Sequence, residues 1–494
     1  MRTPMKRVSG SNILFLLILA FVFGLATYKL TESPVTGYDE GLLTQLAGYF
    51  AEHNMFAMQL APGRLTSGAY MSTGFPVLLP IGLYMKAVGV GHLQARTVMV
   101  AFMIGFISLF YLLAKKETST KFALFATALM ATHGSLYYYG KGVFGEIPGL
   151  FYFMTFLLLF HRAEKEQFKK PLTIGLAGAL LGLTIVTKPV FLLAVPAVFL
   201  VLLFTDWKLL LKPKVVLPAL VGLLIPFAVW FKTQFFPTDD AGMVLEFYRN
   251  PYQIADVGRN IVNNLKLFVT QRTPMYVLIL FVTWTLALIV GKIRKDARSK
   301  TEYVAWMFSF LILLAFLRMP ALFRYFFLAN AVMLLYTPSS LGTLVRFTAE
   351  ILHRRNITIP ALLRGATYLP VIALIAFHTH SLFFTSWISN YYGSTQSYTL
   401  TEYFRDADPN RVVFMYEAPE IYLFLPHRNY YQFIRPSGLD SLALGTENLE
   451  LLRQGTPDVV VVEKNFLSDP SLFAKYEIKT ELDRYFVFTH ADQP

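Results

Sequence analysis

A few ionisable residues stand at the ends of long apolar stretches of this sequence, where a charge is costly and needs a reason to persist. Asp39 and Glu40 open the segment Thr36-Gly-Tyr-Asp-Glu-Gly-Leu-Leu-Thr-Gln-Leu-Ala-Gly-Tyr-Phe. Apolar Leu42, Leu43, Leu46, Tyr49 and Phe50 then recur at helical spacing, so the acids begin an amphipathic helix expected to lie against a membrane. There they either cap the helix, as its dipole favours, or mark a functional site. Glu146 lies in Tyr137-Tyr-Tyr-Gly-Lys-Gly-Val-Phe-Gly-Glu-Ile-Pro-Gly, with Lys141 nearby. The acid again either caps the helix that Pro148 opens or binds a ligand, and Lys141 is either a solvated turn residue or a ligand-binding cation. Lys188 stands alone between two apolar runs in Thr184-Ile-Val-Thr-Lys-Pro-Val-Phe, either snorkelling to the surface or holding an anion. Arg318 and Arg324 bracket one turn where positive charge is otherwise sparse, which suggests an anion to hold. Asp239-Asp240 resemble a metal-binding pair but have no third acid at useful spacing, and read as a solvated loop. His378 and His380 are two apart on a helix and do not share a face, which argues against a histidine metal site.

The elements that must position these residues are membrane helices. Of 494 residues, 55% are hydrophobic and only 15% charged, well below the roughly 25% charged of a soluble protein. Apolar runs approaching the ~20 residues of a bilayer span recur at about 13–26, 95–114, 122–139, 144–160, 172–187, 189–204, 215–231, 274–290, 304–317, 322–335 and 369–384. Between them lie basic clusters: Lys115-Lys116, Arg162 to Lys170, Lys208 to Lys214, Lys292 to Lys300 and Arg346 to Arg364. With the N-terminus cytoplasmic, eleven helices put every cluster on the cytoplasmic side. The short, proline-bearing Phe75-Pro-Val-Leu-Leu-Pro-Ile-Gly-Leu-Tyr-Met would reverse that arrangement if it crossed, so it is expected to lie along the outer surface or re-enter.

The predicted architecture is therefore a polytopic all-α membrane module over residues 1–385, with about eleven transmembrane helices and outer loops at about 31–94 and 232–273. An extracytoplasmic α/β domain follows over 386–494. That tail carries nine Lys+Arg and fifteen Asp+Glu, a net of −6, so the remainder carries +19 of the overall +13. Val412-Val-Phe-Met-Tyr, Tyr430-Tyr-Gln-Phe-Ile and Asp458-Val-Val-Val-Val read as strands, Glu447 to Gln454 as a short helix, and Tyr476–Thr489 as a closing hairpin. Positive charge on cytoplasmic loops sets orientation and implies no nucleic-acid partner. There is no cysteine, hence no disulfide or thiolate chemistry, and no Gly-rich phosphate loop or other nucleotide site.

Taken together, Tyr38-Asp39-Glu40, Gly74-Phe-Pro, Gly89-Val-Gly, Ala95-Arg96, Glu146 before Pro148, Thr187-Lys188 and Arg324-Tyr325 give the chain a resemblance to the GT-C superfamily of polyprenyl-phosphate-sugar glycosyltransferases. It most resembles the protein O-mannosyltransferase and lipid A aminoarabinose transferase branch, over essentially the whole length. The resemblance implies Asp39 as the catalytic carboxylate. It implies Glu40, Glu146, Lys141, Lys188, Arg324, Tyr325 and Arg96 as substrate-binding residues, the cations holding a lipid phosphate. A divalent cation, if one is used, would take Asp39 and Glu146; no nucleotide is implied. The chain departs from the family at Ser72-Thr-Gly-Phe-Pro, where relatives carry His-Pro-Pro or Lys-Pro-Pro, and lacks the acid that the aminoarabinose branch has just before it.

The implied partners are a polyprenyl-phosphate sugar donor, a glycan, lipid or protein acceptor, and the bilayer of the cytoplasmic membrane. A phosphate-linked sugar already has a good leaving group. The site then needs a base for the acceptor hydroxyl and cations for the departing phosphate, and direct attack would invert the anomeric centre. The alternative from another class is a lipid or polysaccharide transporter or flippase, which many helices with intramembrane charge also suit. Convergence of Asp39, Glu146, Lys188 and Arg324 on one cavity favours the enzyme.

Overall fold

The computed structural model describes residues 10–235, 249, 254, 256–320, 322–354, 368–435, 443–467 and 469–490. In chain order the elements are α1 (Gly10–Thr27), α2 (Tyr38–His53), a hairpin of β1 (Ala57–Ala61) and β2 (Arg64–Ser67), α3 (Phe75–Val88) and α4 (His92–Glu117). They continue as α5 (Thr120–Ala131), α6 (Gly134–Lys141), α7 (Glu146–Lys165), α8 (Pro171–Thr187), α9 (Ala194–Asp206) and α10 (Pro213–Trp230). Next come α11 (Val257–Thr270), α12 (Arg272–Ile293), α13 (Lys300–Arg318), α14 (Phe326–Arg354) and α15 (Leu369–His380). Last are α16 (Gln396–Phe404), β3 (Val413–Tyr416), β4 (Tyr430–Phe433), α17 (Leu449–Gln454), β5 (Val459–Glu463), β6 (Tyr476–Leu482) and β7 (Tyr485–His490).

Among the described residues, eight helical segments are long and apolar enough to cross a membrane. The pair α6 and α7, bent by 104°, makes a ninth, and α3, α5 and α8 are shorter apolar helices. The chain is an integral membrane protein of mostly helical fold with a small sheet domain in its C-terminal region. One expected run is corrected: 122–139 is not a single helix. The Thr132 hydroxyl bonds the Ala128 carbonyl at 2.9 Å and the Tyr137 hydroxyl bonds the Ala131 carbonyl at 2.6 Å. Side chains thus satisfy the last carbonyls of α5, and α6 leaves in a new direction.

A second correction concerns α2. It does not lie free along a membrane surface. Leu42, Leu43 and Leu46 pack against Val77, Leu78 and Ile81 of α3, and its opposite face is buried too, from Glu40 to Gly48. The covering element is the C-terminal domain, because Gly41, Gln45 and Gly48 leave that face small and polar.

The tail forms a five-stranded sheet in the order β4-β3-β5-β7-β6, parallel at β4-β3-β5 and antiparallel at β5-β7-β6. Alternation divides its side chains between two cores. Val413, Met415, Val459 and Val461 meet Leu400 and Ile421, while Phe414, Tyr416, Val460 and Val462 meet Leu452 and Phe473. The all-buried Val459–Glu463 strand occupies the centre, as its unbroken apolar run requires. The β1-β2 hairpin docks beside β4, where the Gln59 amide donates to the carbonyls of Arg428 at 2.8 Å and Tyr430 at 3.2 Å.

Candidate active site

The N-terminus of α2 is fixed from within by its second acid. Glu40, 1% exposed, receives Arg96 Nε and Nη2 at 2.7 Å each, a bidentate pair. His92 Nε2 lies 3.4 Å away, and the Val143 N–H donates at 3.3 Å. The remaining Arg96 nitrogen, Nη1, donates to the carbonyls of Leu30 and Pro34 at 2.7 and 2.9 Å. Burial alone would push the Glu40 carboxyl up, but the adjacent Arg96 charge and hydrogen bonds hold it down at about 2. Glu40 and Arg96 therefore neutralise each other inside the fold. Lys141 is likewise buried, with Nζ on the Tyr28 carbonyl at 2.7 Å. None of these three lines the cleft.

Asp39 does. One residue before Glu40 and about 100° around the helix, it lies at the edge of a cleft of about 380 Å³ lined by Tyr38, Tyr138, Tyr139, Phe144, Arg324 and Trp387. Arg324 Nη1 donates to Asp39 Oδ2 at 3.0 Å, with the Asp39 side chain 48% exposed. Arg324 sits in the short 3-10 turn Phe323–Tyr325 before α14, its guanidinium 5.6 Å from the Tyr325 ring centre. Its Nε is buried, with no hydrogen-bond partner among the described residues.

A second pair stands beside the first. Lys188 Nζ meets Glu146 Oε1 at 2.5 Å, both side chains almost fully buried. Among the described residues, Glu146 Oε2 has no hydrogen-bond partner. Arg324 is within electrostatic reach of Asp39 and Glu146, and Lys188 within reach of all three. Glu146 opens α7, while Lys188 breaks the chain between α8 and the 3-10 turn Pro189–Leu193. The Gly74-Phe-Pro segment supports that break. The Gly74 N–H donates to the Thr187 carbonyl at 3.2 Å, and a Cβ at Gly74 would collide with the Val186 carbonyl. The Phe75 N–H then donates to Gln234 Oε1 at 2.6 Å.

Of the four residues expected to converge on one cavity, Asp39 and Arg324 line the cleft, while Glu146 and Lys188 form a buried pair beside it, outside its lining. Tyr325 accompanies Arg324. Arg318 is exposed at the end of α13 and does not line the cleft. Asp239-Asp240 lie outside the described residues. The aromatic walls are not among the residues that sequence patterning singles out. Tyr138 packs on Trp387 at 4.0 Å between ring centres and on Phe144 at 5.2 Å, and Tyr139 stacks on Phe327 at 4.9 Å. The tyrosine run at 137–139 is the signal that could have found them.

A metal fits this donor set poorly. Asp39 and Glu146 are each engaged by a cation of the chain, and among the described residues no three His, Asp or Glu side chains group as ligands would.

Residues 76–231 match the family of dolichyl-phosphate-mannose-protein mannosyltransferases. No curated protein sequence gives a match. Among solved structures, ArnT from Cupriavidus metallidurans bound to undecaprenyl phosphate is similar over 98% of both chains, with a TM-score of 0.66 and 13% identity. The oligosaccharyltransferase AglB from Archaeoglobus fulgidus, in complex with an inhibitory peptide and a dolichol-phosphate, is similar over 98% of this chain and 75% of its own. Its TM-score is 0.54 and its identity 13%. Another structure of the Archaeoglobus fulgidus enzyme, holding Zn and sulfate, covers 97% and 73%, with a TM-score of 0.57 and 12% identity. The chain thus shares the fold of the ArnT structure over nearly its whole length, and its residues 76–231 carry the pattern of the mannosyltransferase family.

Proposed function

We propose that the chain transfers a sugar from a polyprenyl-phosphate donor to the hydroxyl of a glycan, lipid or protein acceptor, with inversion, at the outer face of the cytoplasmic membrane. The observation that carries this reading is the cleft-lining Asp39–Arg324 pair with Lys188 and Glu146 beside it. A half-exposed carboxylate can take the acceptor's proton as its oxygen attacks the anomeric carbon. Arg324 and Lys188 then stabilise the charge that grows on the departing phosphate, and their preformed placement spares reorganisation at that moment. The aromatic walls suit a sugar face. The bound undecaprenyl phosphate of ArnT and dolichol-phosphate of AglB favour the same donor class. The orientation follows from the basic clusters, all cytoplasmic when the N-terminus is inside.

The test is transfer by the purified full chain in lipid from a panel of undecaprenyl- and dolichyl-phosphate mannose, glucose and N-acetylglucosamine. Wild type should turn over at least one donor, and Asp39→Asn should lose about 10²–10⁴-fold in kcat. Unimpaired transfer by Asp39→Asn removes Asp39 as base, and a product of retained configuration removes the single displacement. Movement of intact donor across the bilayer without transfer would establish the transporter instead.

A further inference from the structure

We infer that the C-terminal sheet domain is a working part of the transfer site: Tyr38, Glu417 and Arg435 form a clasp that sets the rotation of α2 and so aims Asp39 into the cleft. This rests on Asp39 being the base.

One stripe of α2 faces the domain. Tyr38, Gly41, Gln45 and Gly48 are spaced i, i+3, i+7 and i+10, a single helical face. Each meets the segment 417–435. The Tyr38 hydroxyl donates to Glu417 Oε2 at 3.1 Å and accepts from the Arg435 N–H at 3.1 Å. The Arg435 N–H also reaches Glu417 Oε2 at 3.2 Å, and its guanidinium pairs with Glu417 Oε1. A Cβ on Gly41 would collide with the backbone of Glu420. The Gln45 amide donates to the Pro419 carbonyl at 2.8 Å, and Gly48 lies under the Tyr422 hydroxyl. Just upstream, Arg484 Nη2 donates to the Thr36 carbonyl at 2.7 Å while its guanidinium also holds Glu420.

Between Thr36 and Gly41 the chain is thus held from the domain side at 36, 38 and 41, and from the α4 side at 40. Asp39 is the ionisable side chain of that turn which the domain leaves to the cleft. Glu417 holds a left-handed backbone at φ 52°, a conformation uncommon for a residue with a side chain, and its carboxylate makes three of the contacts that fix Tyr38 and Arg435. Polar groups bonded this completely act as a hinge pin. A stability cap would not need to meet the helix on the face that sets the angle of its catalytic residue.

Tyr38, Glu417 and Arg435 are positioning residues, and the experiment separates positioning from support. Tyr38→Phe, Glu417→Ala and Gly41→Ala are compared with Leu452→Ala, which opens a cavity in a sheet core under α17. The full chain is assayed with whichever panel donor wild type turns over. A misplacement of about 1 Å can cost about 10²-fold, so the clasp variants should lose at least ten-fold in kcat with donor KM within two-fold. Glu417→Gln, which keeps an acceptor for Tyr38, should fall between Glu417→Ala and wild type. Leu452→Ala should lower Tm and keep kcat. Hydrogen exchange of the amides at 36–41 should speed up in Glu417→Ala and stay slow in Leu452→Ala, a readout independent of turnover. Wild-type kcat and exchange in the clasp variants, alongside an inactive Asp39→Asn, overturn the clasp alone. Parallel losses of kcat and Tm in Leu452→Ala and the clasp variants also overturn it. An active Asp39→Asn overturns the underlying reading instead.

Discussion

Two clusters of charge lie at opposite ends of the same helices. At the starts of α2, α4 and α7 are Asp39, Glu40, Arg96 and Glu146. At the far ends of α4 and α7, about 30 Å away at about 1.5 Å of rise per residue, are Glu117, His161 and Glu164. The second cluster fastens the start of α13. Glu164 accepts the Lys300 N–H at 2.8 Å and the Thr301 hydroxyl at 3.2 Å, and Lys300 Nζ reaches Asp206 at 2.9 Å. Glu117 takes the Ser299 hydroxyl and lies 2.5 Å from His161 Nδ1. Glu302 collects Trp284 Nε1 at 3.1 Å and Arg298 at 3.2 Å. There the carboxylates are engaged by backbone N–H groups, indole and hydroxyls of several helices, as carboxylates at a helix start are favoured to be. At the cleft, Asp39 instead faces one cation and borders open space, and the buried Glu146 beside it pairs with Lys188. A buried charge in an apolar chain is therefore not functional by burial alone. What the carboxylate borders, other protein groups or an open cleft, separates a fastener from a site.

The comparison breaks most visibly in turnover. Asp39→Asn should lose about 10²–10⁴-fold in kcat and leave thermal unfolding unchanged. Glu302→Ala should do the reverse, because stripping a buried pair of one partner costs about 3–5 kcal/mol while the folded fraction still transfers at the wild-type rate. Kinetics normalised to folded protein, beside thermal unfolding in detergent, check both, and equal effects on the two readouts would erase the distinction. The next effect sharpens the paired character of the cleft. Lys188→Met should destabilise by about 3–5 kcal/mol because Glu146 is left buried and uncompensated. The double variant Glu146→Gln/Lys188→Met should recover most of that stability and still transfer at under about a tenth of the wild-type rate, an electrostatic share lost from the leaving phosphate.

Acid tests the Glu40–Arg96 pair. With its carboxyl held at about 2 against an ordinary 4.5, Glu40 contributes stability that is complete above about pH 4.5 and lost as pH falls towards 2. The slope should approach about 1.4 kcal/mol per pH unit in that window and vanish in Glu40→Gln, as followed by Tm against pH. The smallest effect belongs to the fastening cluster. Glu164→Gln should cost about 1 kcal/mol through a weaker start to α13 and leave transfer unchanged.

Much of this is legible in the order of the residues. Apolar runs mark the spans, and alternation and the Val459–Val462 run mark the sheet strands. Asp39, Glu146, Lys188 and Arg324 stand out because each sits at the end of an apolar run. The same criterion fails for Glu40 and Arg96, which are 56 residues apart and look like separate ligands until the fold makes them each other's partner. It also passes over Glu117, Glu164 and Glu302, hidden among basic loop residues. The burial of α2 on both sides is illegible because its second face is polar and small, and only a domain about 380 residues downstream explains why glycines recur there. Aromatic walls give no periodic signal distinct from core packing.

Trp387 has a consequence of a different kind. It follows the last apolar helix, is 45% exposed, and packs its ring on Tyr138 at the cleft wall. Indole rings of that sort settle at headgroup depth. On the proposed function, a pocket walled by one would meet its lipid-borne donor in two dimensions, and the concentration that saturates it would be a mole fraction of the bilayer. Diluting the donor with inert lipid at constant bulk amount should slow transfer as effectively as removing donor, while the acceptor continues to obey ordinary molarity.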